Sequence, residues 1–339
     1  GAVTIGTSTQ GVPGTGGTTV ATGSVWLSAG IDARGGSGAS GGLGGSVSLT
    51  LDPASAPAGQ EIVLFGFKTV DASGGAGPSQ GGAGGVIALA NEASFANGGT
   101  AAGGSVVNAT DLVASGGNGF LPGLPADPTK PGTGGAGGSI TLDTQTKNAW
   151  PGIYPEQAIN SGTLTANGGS GRSGGSAKLS TLQSLPAIRL SGRTGVTNAG
   201  TLAASGGAAS DALAGQGGSV VLSADAGTVD NQVQGGIRAD GGGAVTTNTD
   251  PNIGPLNTAG DGGTVQLSGA SVKNAATISA AGGDATDQAG SAGTGGAIQL
   301  TGSRSPAVND GTLIVLGGTF KTDPRANGTI LIDGVLVAP

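Results

Sequence analysis

The residues with the strongest claim to chemistry are Asp32 and Asp71. They hold the same place in two successive copies of a repeat, each inside an apolar-Asp-Ala-x-Gly-Gly element. Stacked strands lie about 4.8 Å apart, so two such carboxylates would stand one rung from each other. That spacing suits an acid and a base sharing a proton, or a divalent cation held by oxygens. It equally suits an ion pair, because Arg34 follows Asp32 by two residues. Later copies carry Val113, Thr165, Ala203 and Arg238 at that position, so no acidic groove continues along the chain.

Other candidates are weaker. Asp284-Ala285-Thr286-Asp287 and the segment from Asp225 to Asp230 keep Ca²⁺ open as the one cofactor, with no other expected. Neither matches the calcium nonapeptide Gly-Gly-x-Gly-x-Asp or an EF-hand loop. Gly36-x-Gly38-x-x-Gly41 and Gly169-x-Gly171-x-x-Gly174 fit the dinucleotide fingerprint on paper. That fingerprint needs a helix whose N-terminus meets the pyrophosphate, whereas here a strand pattern follows and the loop recurs along the chain. Trp150 and Tyr154 sit in an insertion that interrupts the repeat, where exposed aromatics would stack on sugar rings or cover a flank. Phe65 and Phe67 alternate in an apolar run that reads as a core strand. Phe120 lies at an apolar loop tip. Ser46, Ser139, Ser176, Ser219 and Thr264 form an outward hydroxyl column too mixed for an ice-binding array.

The composition narrows these choices. Of 339 residues 75 are Gly, 10% are charged, and His, Cys and Met are absent. Catalysis by His or Cys is excluded, and so is a zinc site of the usual His/Cys type. No stretch free of Gly and Pro exceeds 12 residues, which excludes long helices because interior Gly and Pro are the poorest helix formers. No apolar run approaches the length of a transmembrane helix. The net charge is −7 and the 13 basic residues are scattered, which argues against nucleic acid as a partner. The chain opens Gly1-Ala2-Val3 without a signal peptide, which reads as a mature or trimmed product. Low charge with abundant Gly, Ser, Thr and Asn points to an extracellular or cell-surface location.

The elements that must position these residues come from a repeat. An apolar-x-small-x-Gly-Gly element begins at Ile31, Val70, Leu112, Leu164, Leu202, Ile237, Ile278 and Leu313, at spacings of 35 to 52 residues. A second element, Gly-Gly-x-apolar-x-Leu, ends at Leu49, Leu89, Leu142, Leu179, Leu222, Leu267 and Leu300. Both alternate with period two, the sign of a strand with one buried face. Asn160, Asn198, Asn274 and Asn309 precede the first element and could stack into an amide ladder. Glycines spaced by three, as at Gly35, Gly38, Gly41 and Gly44, suggest extended segments of polyproline II type packed side by side.

Asn-x-Gly-Thr-apolar-x-Ala-x-Gly-Gly, over roughly residues 20–320, resembles the right-handed parallel β-helix of bacterial secreted surface proteins and filamentous-haemagglutinin-like adhesins. The resemblance implies an all-β solenoid; that fold hosts adhesins, lyases and phage spikes alike. The expectation is one β-helix domain over 1–339 with about eight turns. Residues 1–19 would form an N-terminal strand or cap, 20–320 the repeats and 321–339 a C-terminal strand. Ala33, Ala72, Ala114, Ala166, Ala204, Ala239 and Ala280 should line one inner column and the seven Leu residues another.

Open strand edges at the two ends must be capped or paired. Ala2, Val3 and Ile5 at one end, and Ile330, Leu331, Ile332, Val335, Leu336 and Val337 at the other, are almost uncharged and could do either. Pairing between copies would make a homopolymer, a filament or biofilm-matrix protein without enzymatic activity. The alternatives are a monomeric adhesin that binds surface polysaccharide through Trp150 or Tyr154, and a β-helix polysaccharide lyase or glycosidase.

Overall fold

A computed structural model describes residues 2–7, 24–51, 60–91, 104–120, 132–144, 156–177, 186–210, 212–245, 257–285, 290–320 and 323–337. The described residues are all-β, without a helix. Three long sheets dominate, of ten, eight and eight strands. The chain visits them in rotation. Val25–Leu27 enters the second sheet, Ile31–Asp32 the third and Ser46–Leu51 the first. Ile62–Leu64, Val70–Asp71 and Val86–Asn91 repeat the circuit. Within these sheets every pairing up to Thr329–Ile332 is parallel.

Many of the strands are short because a glycine pair or an Asn turn bounds them. Their alternation sends one face to a shared core. In the first sheet, Leu49, Leu89, Leu142, Leu190, Leu222, Leu267 and Leu300 stand in register, all with no exposed surface. Val47, Ile87, Ile140, Ile188, Val220, Val265 and Ile298 form the neighbouring column. The alanine column is buried as expected, with Val315 completing it.

Two details differ from the sequence reading. Leu179 lies outside the described residues, and Leu190 takes its place in the column, in the strand Ile188–Gly192. The glycine segment keeps its usual hydrogen bonds through Ala177; the extra residues after it delay the strand, and Ile-Arg-Leu offers the same alternation. Phe65 and Phe67 are also not core residues. The strand is Ile62–Leu64, with Ile62 and Leu64 buried. Gly66 then takes φ +103°, and the turn it makes leaves both phenyl rings in solvent.

Between the third and first sheets the glycine segments run out and back as two arms. Amides three residues apart donate to the next turn, Gly35 to Ser73 O, Gly38 to Ala76 O, Gly41 to Gln80 O and Gly44 to Ala83 O, at 2.7 to 3.3 Å. A second set crosses between arms. Gly42 N donates to Gly36 O, Gly75 N to Gly42 O, Gly82 N to Gly75 O and Gly117 N to Gly82 O. This relay continues unbroken to Arg325 N on Gly318 O. Only glycine permits so close an approach: a Cβ on Gly117 would stand 2.0 Å from Gly75 O, and one on Gly135 2.0 Å from Gly82 O.

Candidate functional site

Asp32 and Asp71 are partners in register, one rung apart, as the sequence indicated. Arg34 occupies the space between them. Its Nη2 donates to Asp32 Oδ2 at 2.7 Å and its Nε to Asp32 Oδ1 at 3.0 Å, while Asp71 Oδ2 lies 3.8 Å from Nε. These hydrogen bonds hold the Asp32 carboxyl at about 2, below its usual 3.8. A carboxylate so held stays ionised through neutral pH, which suits an ion pair and not proton transfer.

The other acidic candidates are occupied individually. Asp284 Oδ1 accepts from the backbone N–H and hydroxyl of Thr319 at 2.7 and 2.9 Å. Asp230 Oδ2 accepts from Gln232 Nε2 at 3.3 Å. Asp287 lies outside the described residues. Among the described residues no three acidic side chains gather into a cation site. The Gly36–Gly41 segment belongs to the glycine arms and leads to the strand Ser46–Leu51, so its glycines serve packing.

Trp150 and Tyr154 lie outside the described residues. A different aromatic group is in view. Trp26 is 69% exposed, Phe65 meets it edge-on at 6.3 Å between ring centroids, and Phe67 is fully exposed.

The polar interior is an amide ladder longer than the sequence suggested. Asn108 Nδ2 donates to Asn160 Oδ1 at 2.8 Å, and Asn160, Asn198, Asn231 and Asn274 each donate to the next Asn at 2.6 to 2.9 Å, ending on Asn309. Asn108, Asn198 and Asn274 also donate to the carbonyl two residues on. The first five are fully buried. The Asn108 end is closed by Thr110, whose hydroxyl and amide both donate to Asn108 Oδ1. On the surface, side chains of one turn accept the amides of the next: Asn118 from Ser170, Asn167 from Ser205 and Asp261 from Thr294.

The assembly candidates divide into two groups. Ala2–Thr7 is the outermost strand at one end of the first sheet, paired on one side with Ser46–Leu51. At the other end, Ile330, Leu331 and Ile332 are paired on both sides, with Ala297–Gly302 and with Val335–Val337. They are interior strand residues, not an open edge. Asp333 and Gly334, at φ +49° and +78°, form the tight turn that reverses the chain; paired positive φ values match the twist of a two-residue hairpin. The Asp333 carboxylate accepts the amides of Gly302 and Ala307, each at 2.8 Å, which lowers its pKa below the ordinary carboxylate value. Among the described residues the open edge therefore belongs to Val335–Val337. Ile5 is 37% exposed, Val335 67%, Leu336 64% and Val337 39%.

What these features define, among the described residues, is an all-β arrangement of stacked parallel sheets with two apolar sheet edges. No protein-family model, curated protein or solved structure matches the chain.

Proposed function

We propose that the three sheets are the faces of one right-handed parallel β-helix of eight turns, and that the protein is a non-enzymatic structural component of the cell surface or extracellular matrix that assembles end to end. Right-handed connection is the general rule for parallel crossovers, and the rotation of the chain through the sheets supports the helix. The arms, with hydrogen bonds every third residue, fit polyproline II geometry. The resemblance to filamentous-haemagglutinin-like surface proteins rests on the Asn-x-Gly-Thr pattern and remains part of this proposal.

The observation that carries the assembly reading is the pair of open edges. One continuous sheet ends at both extremities in strands without charge or proline, with aliphatic side chains exposed. Such edges are templates for strand addition. Electron microscopy and sedimentation of the full chain test the reading. Filaments that lengthen with concentration are expected, and Val335→Lys/Leu336→Lys should abolish them while the β-type circular dichroism persists. A full chain that stays monomeric at high concentration, both outer strands in place, would overturn it.

A second reading, a monomeric adhesin for surface polysaccharide, is favoured by the exposed group Trp26, Phe65 and Phe67, since aromatic faces stack on sugar rings. Loss of glycan binding on Trp26→Ala by an unassembled chain would support it. No observation favours the lyase or glycosidase reading, because Arg34 already occupies the Asp32–Asp71 pair.

A further inference from the structure

The two open edges share a relationship that neither shows alone. Ile5 pairs with Leu49 and so begins the leucine column. At the far end Leu300 pairs with Ile332 and Ile332 with Val335, so Val335 ends the same column. Val3 pairs with Val47 and begins the second column. Ile298 pairs with Ile330 and Ile330 with Val337, so Val337 ends it. Each column therefore opens and closes on a branched aliphatic residue. The final strand runs opposite to the sheet, whereas Ala2–Thr7 runs with it.

We propose that a second copy of this chain continues both columns through an antiparallel joint. Val335–Val337 of one copy lies against Ala2–Thr7 of the next, with Val335 opposite Ile5, Leu336 opposite Thr4 and Val337 opposite Val3. This inference rests on the end-to-end reading above and adds its polarity and register. The joint is antiparallel because the Asp333-Gly334 turn has reversed the last strand. It is head to tail because this arrangement satisfies both edges and keeps each column in line. A two-fold pairing of Val335–Val337 with its own copy would set Val335 against Val337, cross the columns, and leave Ala2–Thr7 open. A two-fold contact closes on itself, whereas a head-to-tail one propagates. With ten strands per copy in the first sheet and about 4.8 Å per strand, the axial repeat of the polymer is about 48 Å.

The absence of cysteine makes cross-linking a clean test. Ile5→Cys and Val335→Cys are prepared as separate full-length chains of distinguishable size, mixed, allowed to assemble and oxidised. A mixed disulfide is expected, with little product from either variant alone. A mixed disulfide between Val335→Cys and Val337→Cys chains, in place of the Ile5→Cys product, would show the two-fold pairing and overturn the proposal. Filaments without the mixed disulfide, whose unmodified form shows an axial repeat far from 48 Å, would also overturn it while leaving end-to-end assembly standing. Absence of any polymer from the unmodified chain would remove both readings together.

Discussion

Asn198 sits between two other amides with no exposed surface, and its side chain serves three partners. Replacing it with Ala takes one of two acceptors from the Asn160 amide, which keeps Gly162 O, and removes the side-chain donor from the Asn231 side-chain oxygen and from Gly200 O. Each buried orphan costs about 1–3 kcal/mol, so Asn198→Ala should destabilise the protein by about 2–5 kcal/mol in denaturant unfolding. Asn309, half-buried at the end of the ladder, has two such partners, the Asn274 amide and Gly311 O, in a less buried setting, and Asn309→Ala should cost clearly less. An equal cost at the two positions would show that the ladder is not the cause. Only part of this ladder was legible in the sequence. Asn160, Asn198 and Asn309 announce themselves by a following Gly at the second position and Thr at the third. Asn108 and Asn231 lack that context, and Asn231 precedes a corner two residues longer. What identifies them is the register of the sheet, which no local pattern contains.

At the level of elements, the arms and the strands obey different rules. Strand positions need only the right hydrophobicity on the right face, so Leu, Ile and Val interchange along the columns. Arm positions are set by backbone contact. Gly117→Ala would drive a Cβ into Gly75 O; as a severe backbone clash it should cost about 3 kcal/mol or more. Gly36 has nothing within 4 Å of its would-be Cβ, and Gly36→Ala should change stability by no more than about 1 kcal/mol. Thermal unfolding of the two variants side by side checks the contrast, and similar losses would count against the relay as the cause. The period of three in the glycines announced ordered arms, but their cross-connections depend on a second arm distant in sequence. Gly174–Leu179 satisfies the pattern of the first-sheet strand as well as any other copy, so the displacement to Leu190 could not be read locally. The final hairpin could have been: Asp-Gly between apolar runs is a strong turn signal, and it divides the segment 328–337 into an interior strand and an edge.

Over the whole molecule, spacings between 35 and 52 residues leave the three sheets in continuous register. Length differences are absorbed in the connections, so the core is insensitive to them. Nearly every contact that matters is made with the turn before or the turn after, the energetic signature of a quasi-one-dimensional protein. Among the described residues the two outer strands of the first sheet have a neighbour on one side, which is why both the exposed aliphatic residues of that sheet and the proposed joint are found there.

The unbroken glycine relay has a consequence for how such a chain can change its length. Every carbonyl in the relay needs an amide from the opposite arm or the adjoining turn, so outside the variable connections the smallest removable unit is a full circuit. Excising residues 202–236 joins Thr201 to Ile237 and removes Leu202–Ala203, Ala209–Ser210, Ser219–Ala224 and Thr228–Asn231, one strand from each main sheet with its small neighbour. Gly242 N can then meet Gly175 O, Asn198 can meet Asn274, and Leu190 can meet Leu267. The shortened protein should fold cooperatively, one rung or about 4.8 Å shorter, while deletion of 205–217 alone should leave donors and acceptors stranded and fail to fold. Circular dichroism and small-angle scattering of the two deletions distinguish these outcomes. A lineage carrying this architecture would gain and lose its arms and strands in whole sentences, and change single words only in the connections.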